Sequence, residues 1–193
     1  MSSSSEKAIL QELKTQVWTL GTLVALLWGI HLVNFFLFNG RLAIYGIHPR
    51  SLSGLQGIIW APFLHGDFRH LIANTLPFLT LGWLIMLQET GDFLVVTAIA
   101  ALVSGLGTWL VGMSGSVHIG ASGVIFGYFG YLLLRGWFER SVLSLALSVL
   151  VIVLYGSLIW GVFPIQQGVS WEGHLFGFVG GGLAARLLAK RRN

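Results

Sequence analysis

The sequence predicts an all-α membrane protein, a single bundle of six transmembrane helices. Composition is the first reason. Of 193 residues, 55% are hydrophobic and only 9% charged, with a mean hydropathy of +0.81. A soluble domain carries about 25% charged residues and could not build a water-facing surface from so few. Patterning is the second. The apolar residues fall into six segments, 17–38, 70–88, 93–113, 122–134, 142–161 and 174–189, in a chain of a length that suits one domain. A spanning helix needs about 20 residues. The first, third and fifth segments meet that easily, the fourth is short, and the second and sixth open on polar residues.

Residues 1–16 are polar and Ser-rich, too polar for the apolar core of a signal peptide. They read as a cytoplasmic tail, disordered or interfacial, ahead of a membrane domain over 17–193. The longest connection, 39–69, carries Gly40, Gly46, Pro49, Gly54, Gly57, Pro62 and Gly66. A loop of that length is more often functional than structureless, and its apolar pieces suggest that it lies partly in the interface. Gly123 and Gly127 in the fourth segment, and Gly177 and Gly181 in the sixth, form two GxxxG pairs. Small residues at that spacing let transmembrane backbones approach closely.

Charge sets the orientation. Six spans place both termini on one side, together with Lys7, Lys14, Arg135, Arg140, Lys190, Arg191 and Arg192, while Arg41, Arg50 and Arg69 fall opposite. The positive-inside rule makes the first side cytoplasmic, in the cell (inner) membrane. The formal charge of +4 is spread over segment ends, so it indicates a bilayer as partner and no nucleic acid. With no cysteine, disulfides and cysteine metal sites are excluded.

Polar residues inside a bilayer mark function by default. His70 and Asn74 lie at i and i+4 on one face of the second segment. Gly120-Ala121-Ser122-Gly123 opens the fourth, and His174 opens the sixth. Counted from the cytoplasmic helix ends, Ser122 lies 13 residues before Arg135, His174 12 before Arg186, and Asn74 15 before Glu89. At 1.5 Å per residue these are depths of roughly 18–22 Å. In a hydrocarbon core about 30 Å thick, all three sit at one level, some 10 Å below the outer surface. Alone, each residue has an ordinary explanation in helix packing or an interfacial position. At one depth they can converge.

Their chemistry is complementary. A serine hydroxyl needs a base to become a nucleophile, and His174 can serve. Acyl transfer needs donors aimed at the developing oxyanion; Asn74, His70 and the Ser122 N–H can supply them. Gly123 would let a substrate carbonyl approach. Residues 114–121 would be an irregular loop presenting Ser122 in a wet cavity. No carboxylate is placed to complete a triad. Glu172 is two residues from His174, where helical side chains do not face each other, and Asp67 would have to fold over from the loop. A dyad is expected, with His174 oriented by packing rather than by an anion. His31 is expected to be interfacial, His48 and His118 solvated, and His65 a brace for the loop. A metal site from His65, Asp67 and His70 is not expected.

In this order and on these segments, three motifs resemble those of bacterial rhomboids, a family of intramembrane serine proteases. They are His65…His70-x-x-x-Asn74, Gly120-x-Ser122-Gly123 with Gly127, and His174-x-x-Gly177-x-x-x-Gly181. The resemblance spans residue 17 to the C-terminus. It implies a six-helix core, a Ser122–His174 dyad, oxyanion stabilisation by the Ser122 N–H, His70 and Asn74, and site support from Gly120, Gly123 and Phe126. It further implies substrates that are single-pass membrane proteins, cut near the outer end of their transmembrane helix, and neither cofactor nor metal. The chain departs from some relatives in lacking a Trp-Arg pair within 39–69, and Phe126 stands where many have a tyrosine whose ring stacks on the histidine, keeping the ring without the hydroxyl. Two other classes compete. An inactive rhomboid-like binder of transmembrane clients would be marked by loss of Ser122 or His174, and both are present. A channel or transporter would be marked by charged pore residues or inverted repeats, which the sequence lacks.

Overall fold

The computed structural model describes residues 3–166 and 168–190; Arg191 and Arg192 lie outside them. Among the described residues the chain is helical, with no strand beyond an isolated bridge between Ile47 and His118. Helix α1 covers Ser3–Phe38. The long loop that follows holds 3-10 turns at Arg41–Tyr45, Leu52–Gln56 and Ala61–Phe63 around a single α-turn, α2 (Gly57–Trp60). Then come α3 (Phe68–Met86), α4 (Thr90–Val111), α5 (Ser122–Glu139), α6 (Val142–Tyr155, continued as a 3-10 helix over Gly156–Val162) and α7 (Trp171–Lys190).

Three stretches, Ser5–Phe38, Thr90–Val111 and Val142–Val162, are each long and apolar enough to cross a membrane unaided. The other long helices, α3, α5 and α7, carry the polar and small residues singled out above. They are also the most enclosed. Leu71, Leu81, Ile85, Tyr128, Tyr131, Ala184 and Ala185 are fully buried, whereas α6 turns Val142, Val149, Val153 and Leu154 outward.

The helices alternate between two ends. At one end Gln16 donates to the Met86 carbonyl (3.2 Å) and to Thr90 Oγ1 (3.0 Å), and accepts from Trp83 Nε1 (3.1 Å). The same end holds Arg135, 2% exposed, against Asp92 (3.3 Å), Glu139 (2.8 Å) and the Tyr131 hydroxyl (2.6 Å). A charge this deep must be paired, and the pairing lets α5 run past Arg135, where sequence placed the span's end. α1 likewise continues back to Ser3 through residues read as a tail.

At the other end the long loop is pinned to its neighbours. Arg50 N–H donates to the Trp109 carbonyl (2.9 Å) and Arg50 Nη1 to that of Leu110 (3.0 Å), and Trp109 Nε1 donates to Ser51 O (2.8 Å). A tryptophan and an arginine on different segments thus anchor a loop that has no Trp-Arg pair of its own.

The expected approach of the fourth and sixth segments is seen between α5 and α7. A Cβ on Gly177 would overlap the carbonyl oxygen of Gly123, one on Gly181 that of Gly127, and one on Gly130 that of Phe178. Backbone touches backbone along the seam, a contact only glycine permits.

Candidate active site

The site lies where α3, α5 and α7 begin. Gly112 follows α4, and residues 112–121 form an irregular loop, as expected for the segment leading to Ser122. It is tied to the long loop at two points: His118 exchanges backbone bonds with Ile47 (2.9 and 3.0 Å), and Gly120 donates to Ala61 O (2.8 Å). Gly120 has φ +120° and lies against the His70 ring, so both conformation and space call for glycine. Ser122 is then the first residue of α5. Its N–H and that of Gly123 have no acceptor within the helix.

His174 enters from α7. Its Nε2 stands 2.9 Å from Ser122 Oγ, and its Nδ1 3.0 Å from the carbonyl oxygen of Gly161. A carbonyl can only accept, so Nδ1 carries the proton and Nε2 is left bare toward the serine. The ring lies flat on Phe126, with centroids 4.0 Å apart and planes 7° apart. Packing against Phe126 was expected from the sequence; the Gly161 carbonyl was not. A backbone oxygen leaves no mark on the side-chain pattern. The one trace is that Gly161 must lack a side chain, since a Cβ there would stand 2.6 Å from the Phe126 ring.

His70 and Asn74 reach the same place from α3. The position a Cβ would take on Gly120 is 2.6 Å from His70 Nε2 and 3.7 Å from Asn74 Nδ2. Asn74 is 6% exposed, and its Nδ2 donates to no group among the described residues. A buried amide donor without an acceptor costs stability and calls for an explanation. Gly123 lies against Ser104 Oγ, which in turn donates to the Gly173 carbonyl (2.8 Å) next to His174. Sequence reading passed over Ser104, an ordinary small polar residue in an apolar helix.

The remaining polar groups separate from this cluster. Asp67 caps α3 by accepting the His70 N–H (2.7 Å), and that bond holds its carboxyl below the usual range. The imidazole of His174 is bonded to Gly161 and Ser122, not to Asp67 or Glu172. His31, expected at the interface, is instead 2% exposed, its ring against Phe68 and near His65. His65 is 1% exposed and packs on the His70 ring, centroids 5.0 Å apart. Burial pushes its pKa down to about 3, helped by His70 and His31. Among the described residues no three His, Cys, Asp or Glu side chains gather as metal ligands would.

Comparison with known proteins agrees with this architecture. The Rhomboid domain family matches residues 53–191. The chain is 42% identical over 192 residues to an uncharacterised protein of Mycobacterium tuberculosis, covering 93% of this chain and 80% of that one. It is 40% identical over 179 residues to an uncharacterised protein of Mycobacterium leprae, covering 89% and 70%. RHOMBOID-like protein 5 of Arabidopsis thaliana is 33% identical over 135 residues, 64% of this chain and 41% of the plant protein. With a family match over most of its length and an all-helical, strongly apolar structure, the chain is a membrane protein that belongs to the rhomboid family.

Proposed function

We propose that this rhomboid is an intramembrane serine endopeptidase that cleaves single-pass membrane proteins near the outer end of their transmembrane helix, with both of its own termini in the cytoplasm. The observation that carries the reading is the 2.9 Å contact between Ser122 Oγ and the unprotonated Nε2 of His174. A hydroxyl that can pass its proton to a base already in place is an activated nucleophile.

Ser122 Oγ attacks the scissile carbonyl carbon while its proton moves to His174 Nε2. The carbonyl oxygen becomes an oxyanion held by the Ser122 N–H, His70 and the Asn74 amide. As the tetrahedral species collapses, the C–N bond breaks and the leaving nitrogen takes the proton from Nε2. Water then repeats the sequence on the acyl-enzyme, with His174 again as base, and frees Ser122. The imidazolium formed in each half is stabilised by the Gly161 carbonyl at Nδ1–H and by the face of Phe126. Burial of these groups strengthens each interaction, since little water competes.

The test uses purified protein in proteoliposomes with a reporter transmembrane substrate. A fluorophosphonate probe should label Ser122 alone, and Ser122→Ala and His174→Ala should each abolish cleavage while keeping the wild-type thermal midpoint. Labelling at another residue, or activity surviving in Ser122→Ala, overturns the assignment. A folded wild type that neither labels nor cleaves would instead favour a client-binding protein.

A further inference from the structure

His118, expected to be solvated, is half-buried and bonded at both ring nitrogens, and the dyad itself explains neither bond. Nδ1 stands 2.7 Å from Ser170 Oγ and Nε2 2.7 Å from Ser116 Oγ. Their acceptors fix the direction of these bonds. Ser116 Oγ lies 2.5 Å from the Met113 carbonyl, which only accepts, so the Ser116 proton is committed there. Ser116 must therefore accept from His118 Nε2–H. The neutral ring then has a bare Nδ1, which accepts the Ser170 hydroxyl proton. Ser170 Oγ in turn faces the Gly173 N–H (3.4 Å), and the Ser170 carbonyl accepts from the His174 N–H (3.1 Å). One directed chain thus runs from the first turn of α7 to Met113 in the loop after α4, each hydroxyl donating once and accepting once. Burial holds His118 below the ordinary imidazole value, with Glu172 pulling the other way, which keeps Nδ1 free to accept.

The placement is symmetrical. His118 lies four residues before Ser122, on the segment that delivers it, and Ser170 lies four residues before His174. His118 is itself fixed from behind by its backbone pairing with Ile47.

We propose that His118 is a positioning residue: by accepting the Ser170 hydroxyl it clasps the loop that carries Ser122 to the start of α7, and so holds His174 within reach of Ser122. The inference rests on the protease reading of those two residues. A misplacement of about 1 Å at reacting atoms can cost on the order of 100-fold in rate, so a clasp that sets the distance between two loops acts on kcat rather than on substrate binding.

Three substitutions separate the two ring nitrogens. His118→Asn puts an amide oxygen where Nδ1 stood, keeping an acceptor for Ser170. His118→Gln extends to where Nε2 stood and reaches only Ser116. His118→Leu reaches neither. In proteoliposomes, kcat and KM for the reporter substrate are measured with the rate of fluorophosphonate labelling at Ser122 and the thermal midpoint. The expected result is a fall in kcat and labelling rate of about 10- to 100-fold for Leu and Gln, with KM little changed, and near-complete retention for Asn. Ser170→Ala should match His118→Leu, and the double variant should lose no more than either single one, as residues acting as a unit do. Leu and Gln variants as active as wild type, an Asn variant no better than Leu, or additive losses would each overturn the clasp. If His118→Leu fails to fold, the contrast between Asn and Gln decides. A folded wild type that does not label at Ser122 overturns the protease reading itself, whereas a labelled wild type with unaffected His118 variants overturns only this inference.

Discussion

The imidazole of His174 is steered by a neutral carbonyl and an aromatic face, and this sets what single side chains should do. In a soluble triad protease the aspartate fixes the tautomer, and replacing it by its amide costs about 10⁴ in kcat. Here Gly161 O already fixes the tautomer at 3.0 Å. Glu172→Gln and Asp67→Asn should therefore each lower kcat by less than about 10-fold, well below the triad figure; the asparagine also keeps the cap on α3. A loss near the triad value in a folded variant, measured with the same reporter, would reveal a third member. The opposite outcome is expected at the buried amide. Losing one oxyanion donor typically costs about 10²–10³ in rate, so Asn74→Ala and His70→Ala should lower kcat by that order with a smaller change in KM. A normal kcat for Asn74→Ala would make that amide inter-helix glue. At this scale the sequence revealed what differs chemically from its surroundings: a serine, a histidine and an amide at one depth in apolar segments, with His70 one turn above the amide. It was silent on Gly161, whose contribution is a backbone oxygen. It misplaced His31, because periodicity does not say which face of α1 a folded loop will cover.

Hydropathy located the long helices but not their ends. The segment 122–134 extends to Glu139 because Arg135 is neutralised by Asp92 and Glu139 rather than by water. The segment 17–38 extends back to Ser3 because the stretch preceding it is rich in Glu, Lys, Ala, Leu and Gln, strong helix formers even without an apolar face. The glycine seam between α5 and α7 was visible as two GxxxG pairs, since spacing alone reports a shared face. It makes a directional prediction. Gly181→Ala would drive a methyl into the Gly127 carbonyl, and such overpacking costs about 1–3 kcal/mol or more. Gly29→Ala in α1, where a Cβ meets nothing within 4 Å, should be neutral or stabilising by up to about 1 kcal/mol. Thermal midpoints in one detergent check both, and a Gly181→Ala protein as stable as wild type would mean that the seam can open without penalty.

Across the whole molecule, the turns collect at two ends, one holding Ser5 and Arg135, the other the long loop and residues 112–121. Positive charge favours the first end as cytoplasmic, and the absence of cysteine makes this testable without a background. In intact cells a membrane-impermeant maleimide should label Gly115→Cys and spare Ser5→Cys until the membrane is permeabilised; the reverse pattern would invert the topology. The order of the helices along the chain has a further consequence, for biosynthesis. Ser122 and His174 are 52 residues apart, and the whole of α6 is made between them. On the protease reading, at about 5–20 residues per second a growing chain carries its nucleophile for roughly 3–10 s before the base exists. During that interval it can cut no membrane helix that comes beside it. On the protease reading, completion of the bundle does what a removable pro-segment does in many secreted proteases: it delays activity until the enzyme stands in its own place in the bilayer.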